Sequence, residues 1–202
     1  MTFQTIFNNA EAIAINKMKK VAQTISRDGV VRTISLGGQV WEFEVKLPDG
    51  PSYSSYRSII EKIESLDRVT SSTVYLNTAT TWLNGYQGNY SNITGTVIVS
   101  FTSGNTLNII SGPNLQSGYK FRSGDYIQLG TSGKVYTVVD DVPFSSTTIT
   151  VHRPIRDAVN TYTLAIAHNV KWNVVCVKFP RWTIFERNQV RWDGPFVFAE
   201  AF

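Results

Sequence analysis

The chain is 202 residues long, 42% hydrophobic and 17% charged, with a formal net charge of +4. That length suits one large domain or two of the commonest size, and the low charge density leaves room for surface that partners bury. Lys and Arg are scattered, with Lys17, Lys19 and Lys20 the longest cluster, which is too sparse for a nucleic-acid groove. The single cysteine, Cys176, excludes an intramolecular disulfide framework and an all-cysteine metal site. No stretch approaches the ~20 apolar residues of a membrane span, and no secretory leader is recognisable at the N-terminus. Synthesis and retention in a cytoplasm until assembly is the expectation, so the sequons at Asn89 and Asn92 carry no glycan.

Residues 1–11, with Phe3, Ile6 and Phe7 among asparagines, are too short for an independent helix and read as an arm that docks on a neighbour. From Ala12 to Leu47 the pattern is a long β-hairpin, turned at Arg27-Asp28-Gly29. In its second arm Trp41, Phe43, Val45 and Leu47 share one face while Glu42, Glu44 and Lys46 share the other. Gly37 and Gly38 interrupt that arm and predict a bulge or bend.

After the turn cluster Pro48-Asp49-Gly50-Pro51 the period changes. Tyr56, Ile59, Ile60, Ile63 and Leu66 recur at three and four, the spacing of one helical face, and Ser54 or Ser55 is placed to cap it. A strand at Thr73–Asn77 follows, then an irregular stretch rich in Gly, Asn and aromatics. Residues 92–168 have a different texture. Six short β-like runs (GTVIVSF, TLNII, DYIQLG, KVYTVVDDV, TTITVHR and TYTLAIA) carry turn signals about every ten residues, as in a small barrel or sandwich. Strands resume on both sides, so this segment reads as an insertion. Val170, Trp172, Val174 and Cys176 then alternate with a second face, and two closing strands, W182–R187 and V190–F202, are joined at Asn188 and Gln189. The last of these runs to the final residue, which places the C-terminus inside a sheet.

No catalytic constellation emerges. His152 and His168 stand 16 residues apart without a carboxylate at metal-ligand spacing. Asp125, Asp140 and Asp141 lack the alternating loop of an oxygen-ligated cation site and read as turn carboxylates. Gly133-Lys134 runs into a strand, not into the helix a phosphate loop requires. His168 lies eight residues from Cys176, about 26 Å along an extended strand, so no Cys/His pair forms locally. The reading is therefore non-enzymatic, with no cofactor and no metal. Trp82, Tyr86 and Tyr90, at four-residue spacing in a Gly/Asn-rich loop, form an aromatic cluster suited either to packing against another subunit or to stacking on carbohydrate.

The order of elements, long hairpin, amphipathic helix, strand, inserted β-domain and closing strands, resembles the distal tail and baseplate-hub proteins of long-tailed bacteriophages. GGQVWEFEVKLP, YSSYRSIIEKIESLD, FRSGDYIQLGTSGKVYTV, CVKFPRWTI and VRWDGPFVFAEAF carry the resemblance. It implies a mainly β protein. A discontinuous tail-tube-like antiparallel β-sandwich or barrel with one α-helix (1–91 and 169–202) would carry an inserted small barrel of the oligonucleotide/oligosaccharide-binding (OB) type (92–168). It further implies a structural virion component at the distal tail end or baseplate: a homohexameric ring joining the tail tube to the hub and spike. The ring would mount peripheral fibre or baseplate-arm proteins, with DNA passing through its lumen without specific binding and with no membrane contact. On that reading Arg27, Asp28, Gly29, Phe3 and Phe7 fall at subunit interfaces, and Trp82, Tyr86 and Tyr90 face a partner. A rival function from the same residues is a carbohydrate-binding module that contacts host surface glycans through the barrel and the Trp82 loop.

Overall fold

A computed structural model describes residues 3–18, 21–35, 39–65, 69–76, 85–101, 103–130 and 134–201. Those residues form a mainly β protein of antiparallel sheets, one of them a curled six-strand half-barrel, with one α-helix of more than seven residues. The chain divides into two compact units, Met1–Ser72 with Asn173–Phe202, and Thr73–Trp172.

The N-terminal residues are not an arm. Gln4–Asn8 form a short helix, α1, in which Ile6 and Phe7 are buried, and Phe3 just before it is buried as well. Phe3 packs on Phe198 at 5.1 Å between ring centroids, and Phe7 packs on Phe43 at 5.8 Å and Phe198 at 5.1 Å. Five residues cannot hold a helix in water, so these contacts are what stabilise it. Each buried ring contributes about 1.5–3 kcal/mol, and Phe3 and Phe7 are thereby withdrawn from any subunit interface.

The long hairpin forms in two stages. β1 (Ala12–Met18) pairs antiparallel with β4 (Val40–Lys46), and further out β2 (Val21–Ile25) pairs with β3 (Val31–Ser35). In β4 the alternation is as read: Trp41, Phe43 and Val45 are fully buried, Glu44 and Lys46 are exposed. Lys17 lies opposite Trp41 with its ammonium 5.1 Å from the ring, and burial lowers its pKa. The bulge expected at Gly37 and Gly38 lies outside the described residues.

Helix α2 (Tyr53–Ser65) buries Tyr56, Ile59, Ile60 and Ile63, the predicted stripe, while Leu66 lies outside the described residues. It starts earlier than the serine caps suggest. Ser54 and Ser55 lie inside its first turn, and the hydroxyl of Ser52, just before it, is hydrogen-bonded to both of theirs, at 2.8 and 3.0 Å.

β5 (Ser72–Val74) lies where the chain passes into the second unit. There the strands are β6 (Ile98–Ser100), β7 (Thr106–Ser111), β8 (Tyr119–Phe121), β9 (Tyr126–Leu129) and β10 (Val135–Thr137), followed by β11 (Val142–Pro143), β12 (Thr148–Thr150) and β13 (Thr161–Ile166). Six of them make one sheet in the order β10-β9-β13-β6-β7-β12, and β8 pairs with β11 alongside. The sheet curls until its outer strands meet at a Val138–Val151 bridge, where Val139 N–H donates to Thr150 O (2.9 Å) and His152 N–H to Thr137 O (3.0 Å). Curling turns Val99, Leu107, Ile127, Tyr136, Ile149 and Leu164 into one buried core. The six sheet strands coincide with the six predicted runs. The β8–β11 pair escaped notice because YKF and VP are too short to show a period.

The boundaries differ from those read in the sequence, falling at 72 and 172 instead of 91 and 168. Composition marks residues 85–91 as an irregular connection, yet Tyr86 and Tyr90 pack on the half-barrel core. Packing, not texture, assigns them to the second unit.

Asp125 anchors a turn of this unit. Its carboxylate, almost fully buried, accepts from Arg122 N–H (2.8 Å) and Gln87 N–H (3.0 Å), and Gly124 beside it holds a φ of +98°. Burial raises its pKa and outweighs those donors, so its contribution to stability is full below the unfolded pKa and declines as pH rises through the folded value. Asp125→Ala removes the acceptor of two part-buried N–H groups, and each one that water does not reach costs about 1–3 kcal/mol. A lowered thermal midpoint for the second unit, by calorimetry, is the expected result.

The chain then returns to the first unit through β14 (Trp172–Lys178), β15 (Arg181–Phe185), β16 (Gln189–Asp193) and β17 (Phe196–Glu200). β17 lies between β4 and β14 as an inner strand, so the chain end is built into the sheet. The single strand expected over 190–202 is broken in two at Gly194-Pro195, where Gly194 takes a φ of +101° and proline has no N–H to donate. β16 instead pairs with β15 in a separate hairpin, whose connection is a 3-10 turn at Glu186–Asn188, earlier than the expected join at Asn188 and Gln189, with Asn188 at a φ of 64°. Trp192 of β16 packs on Tyr56 of α2 at 5.6 Å and on Phe196 at 4.9 Å.

Candidate functional site

The Arg27-Asp28-Gly29 segment is the tip of the β2–β3 ribbon. Gly29 N–H donates to Ser26 O (2.9 Å), and Gly29 has a φ of 76°, a conformation that glycine adopts without a Cβ clash. All three residues are exposed. The ribbon behind them buries no side chain from Ala22 to Ile34, although it carries large apolar residues: Ile25 is 74% exposed, Val30 54%, Val31 57% and Ile34 66%. Ile25 stands opposite Val31, whereas Ile34 stands opposite Ala22, three residues further back from Ile25, so both faces of the ribbon bear apolar groups. An isolated two-stranded hairpin is marginal in water, and these side chains gain nothing from this chain's own core.

The aromatic loop fares differently. Trp82 lies outside the described residues. Tyr86 packs edge-on against Phe121 at 6.3 Å and donates its hydroxyl to Lys120 O, and burial pushes its pKa up to about 12. Tyr90 is also partly buried against the half-barrel core. Both rings keep part of their surface exposed while packing on that core. Their four-residue spacing carried no information about burial.

His152 Nδ1 accepts from Thr137 N–H (2.9 Å) at the half-barrel seam, and His168 is exposed in a 3-10 turn. Asp141 accepts from Arg122 Nη1 (2.7 Å) and Ser123 N–H (2.9 Å), and these bonds hold its carboxyl below the usual range. Cys176 is buried in β14, with its thiol 3.5 Å from Lys178 O. Among the described residues no group of three or more His, Cys, Asp or Glu side chains could hold a metal ion.

One arrangement went unnoticed in the sequence. A cavity of about 590 Å³ opens between the end of β7 and the 144–147 turn, walled by Ile109, Ile110, Ser111, Asn114 and Thr147. Lys120 and Phe144 also line it, and both are buried, Lys120 at 6% exposure. The Lys120 ammonium donates to Ser146 O at 2.9 Å, its one partner among the described residues, and burial lowers its pKa. The available signal was the lysine in YKF, a long cation inside a short run of aromatics. Nothing in the sequence says whether such a lysine is buried.

These features define a mainly β protein whose distinctive surfaces are an apolar ribbon and a lysine-lined cavity. No protein-family model matches the chain, and no curated protein matches it.

Proposed function

We propose that this protein is a non-enzymatic structural component of a bacteriophage tail tip or baseplate. In that reading six copies form a ring joining the distal tail tube to the hub and spike, and DNA passes through the lumen without specific binding. The first unit corresponds to a tail-tube-type domain, and the half-barrel to an OB-type insertion that mounts fibre or baseplate-arm proteins. The observation that carries the reading is the β2–β3 ribbon, which exposes Ile25, Val30, Val31 and Ile34 on both faces. Such a ribbon is an aggregation hazard as a free monomer and is protected when copies pair in a closed ring. Its tip, Arg27-Asp28-Gly29, reaches the adjacent subunit or ring.

The test is the mass of the native assembly by light scattering, together with imaging of labelled tails. A species of six times the 22.6 kDa chain, or the protein placed at the tail tip, is the expected result. A stable monomer that never enters particles overturns the proposal.

A further inference from the structure

The Lys120 cavity is independent of the ring reading, since every residue lining it belongs to the second unit. An ammonium has three donors, and this one uses a single protein acceptor among the described residues, Ser146 O. Among the described residues no Asp or Glu lines the cavity or pairs with this ammonium. Burying an uncompensated cation is costly, and the cost is offset when an anion enters.

The rest of the lining narrows the ligand. Ser111, Asn114, Ser145 and Thr147 are exposed at the cavity and offer hydroxyl and amide groups. The lining aromatic, Phe144, is 3% exposed, so no open ring face is offered for stacking on a neutral sugar. A volume of about 590 Å³ lies within the range of small-molecule sites.

We infer that this cavity binds a small hydroxylated anion, a sugar-sized molecule bearing one carboxylate or phosphate. The Lys120 ammonium takes the charge, and Ser111, Asn114, Ser145 and Thr147 take the hydroxyls. A carboxylate belongs to an acidic sugar and a phosphate to a phosphorylated polyol; the cavity chemistry is common to both.

The experiment is a titration of the ¹⁵N-labelled full chain, in chloride buffer free of phosphate, with D-glucuronate, glycerol 3-phosphate and D-glucose. At least one anion should shift the amides of 109–114 and 144–147 saturably, with glucose about tenfold weaker or silent. The stronger anion then names the source. Lys120→Met, which keeps most of the stem and removes the charge, should weaken that anion about tenfold or more while preserving spectral dispersion. Should Lys120→Met not fold, Ile110→Trp at the exposed wall fills the cavity and should weaken binding equally. Silence from both anions at these amides, glucose binding as strongly, or anion binding that survives the folded variant each overturns the inference.

Discussion

Replacing Ile25 and Ile34 with lysine is expected to abolish assembly while leaving the monomer folded. Both side chains are largely exposed in the single chain, so their loss removes no packing there, and surface changes of this kind alter stability by about 0.5 kcal/mol or less. In the proposed ring they would sit on the two faces of the paired ribbon, where burying each would be favourable by roughly 1.5–3 kcal/mol. Lysine reverses that gain and adds like-charge repulsion between copies, with Arg32 already on the Ile34 face. Light scattering should then report a monomer with an unchanged thermal midpoint, and the variant should be missing from particles. An assembly that forms normally would remove the ribbon as the contact on which the ring reading rests.

The second large effect concerns the C-terminus. Phe198 is fully buried in β17 and packs on Phe3, Phe7 and Phe196, with the Phe196 ring centroid 6.4 Å away. Phe198→Ala should cost about 3–5 kcal/mol, since it opens a cavity beneath α1 and leaves that helix without one of its two main ring contacts. Against a total of about 5–15 kcal/mol, the first unit would stand near its folding limit. Deleting 196–202 goes further: it removes the strand between β4 and β14 and exposes two sheet edges. Calorimetry should show the transition of the first unit lowered in Phe198→Ala and lost in the deletion. The transition of the second unit should persist, because none of its strands lies in the deleted segment. Unaltered unfolding of the Phe198→Ala chain would contradict the packing described.

Where the pattern is long and regular, the chain is readable from its residues. WEFEVKL alternates over seven residues and the buried α2 stripe spans about two turns, so period alone reveals which face is buried. The Asp28-Gly29 turn and the six runs of the half-barrel are legible for the same local reason. Short or interrupted segments are not. The five residues of α1 take their helix from Phe43 and Phe198, which lie far along the chain. The break at Gly194-Pro195 was written in two residues, but the apolar pattern on both sides of it masked the change of sheet.

The candidate sites follow the same division. The sequence by itself determined where the hairpin turns, which strands make the inserted sheet, and that the C-terminal run is apolar enough to be built in, because each depends on neighbours within about ten residues. Only the tertiary structure decided which aromatics are spent. Phe3 and Phe7 went into the core of the first unit, Tyr86 and Tyr90 against that of the second, and the ribbon at 21–35 was left without a core at all. It alone brought Lys120 beside Ser146 and Phe144, some two dozen residues further on. Burial is a property of long-range contacts, and neither composition nor period encodes which partner a side chain meets.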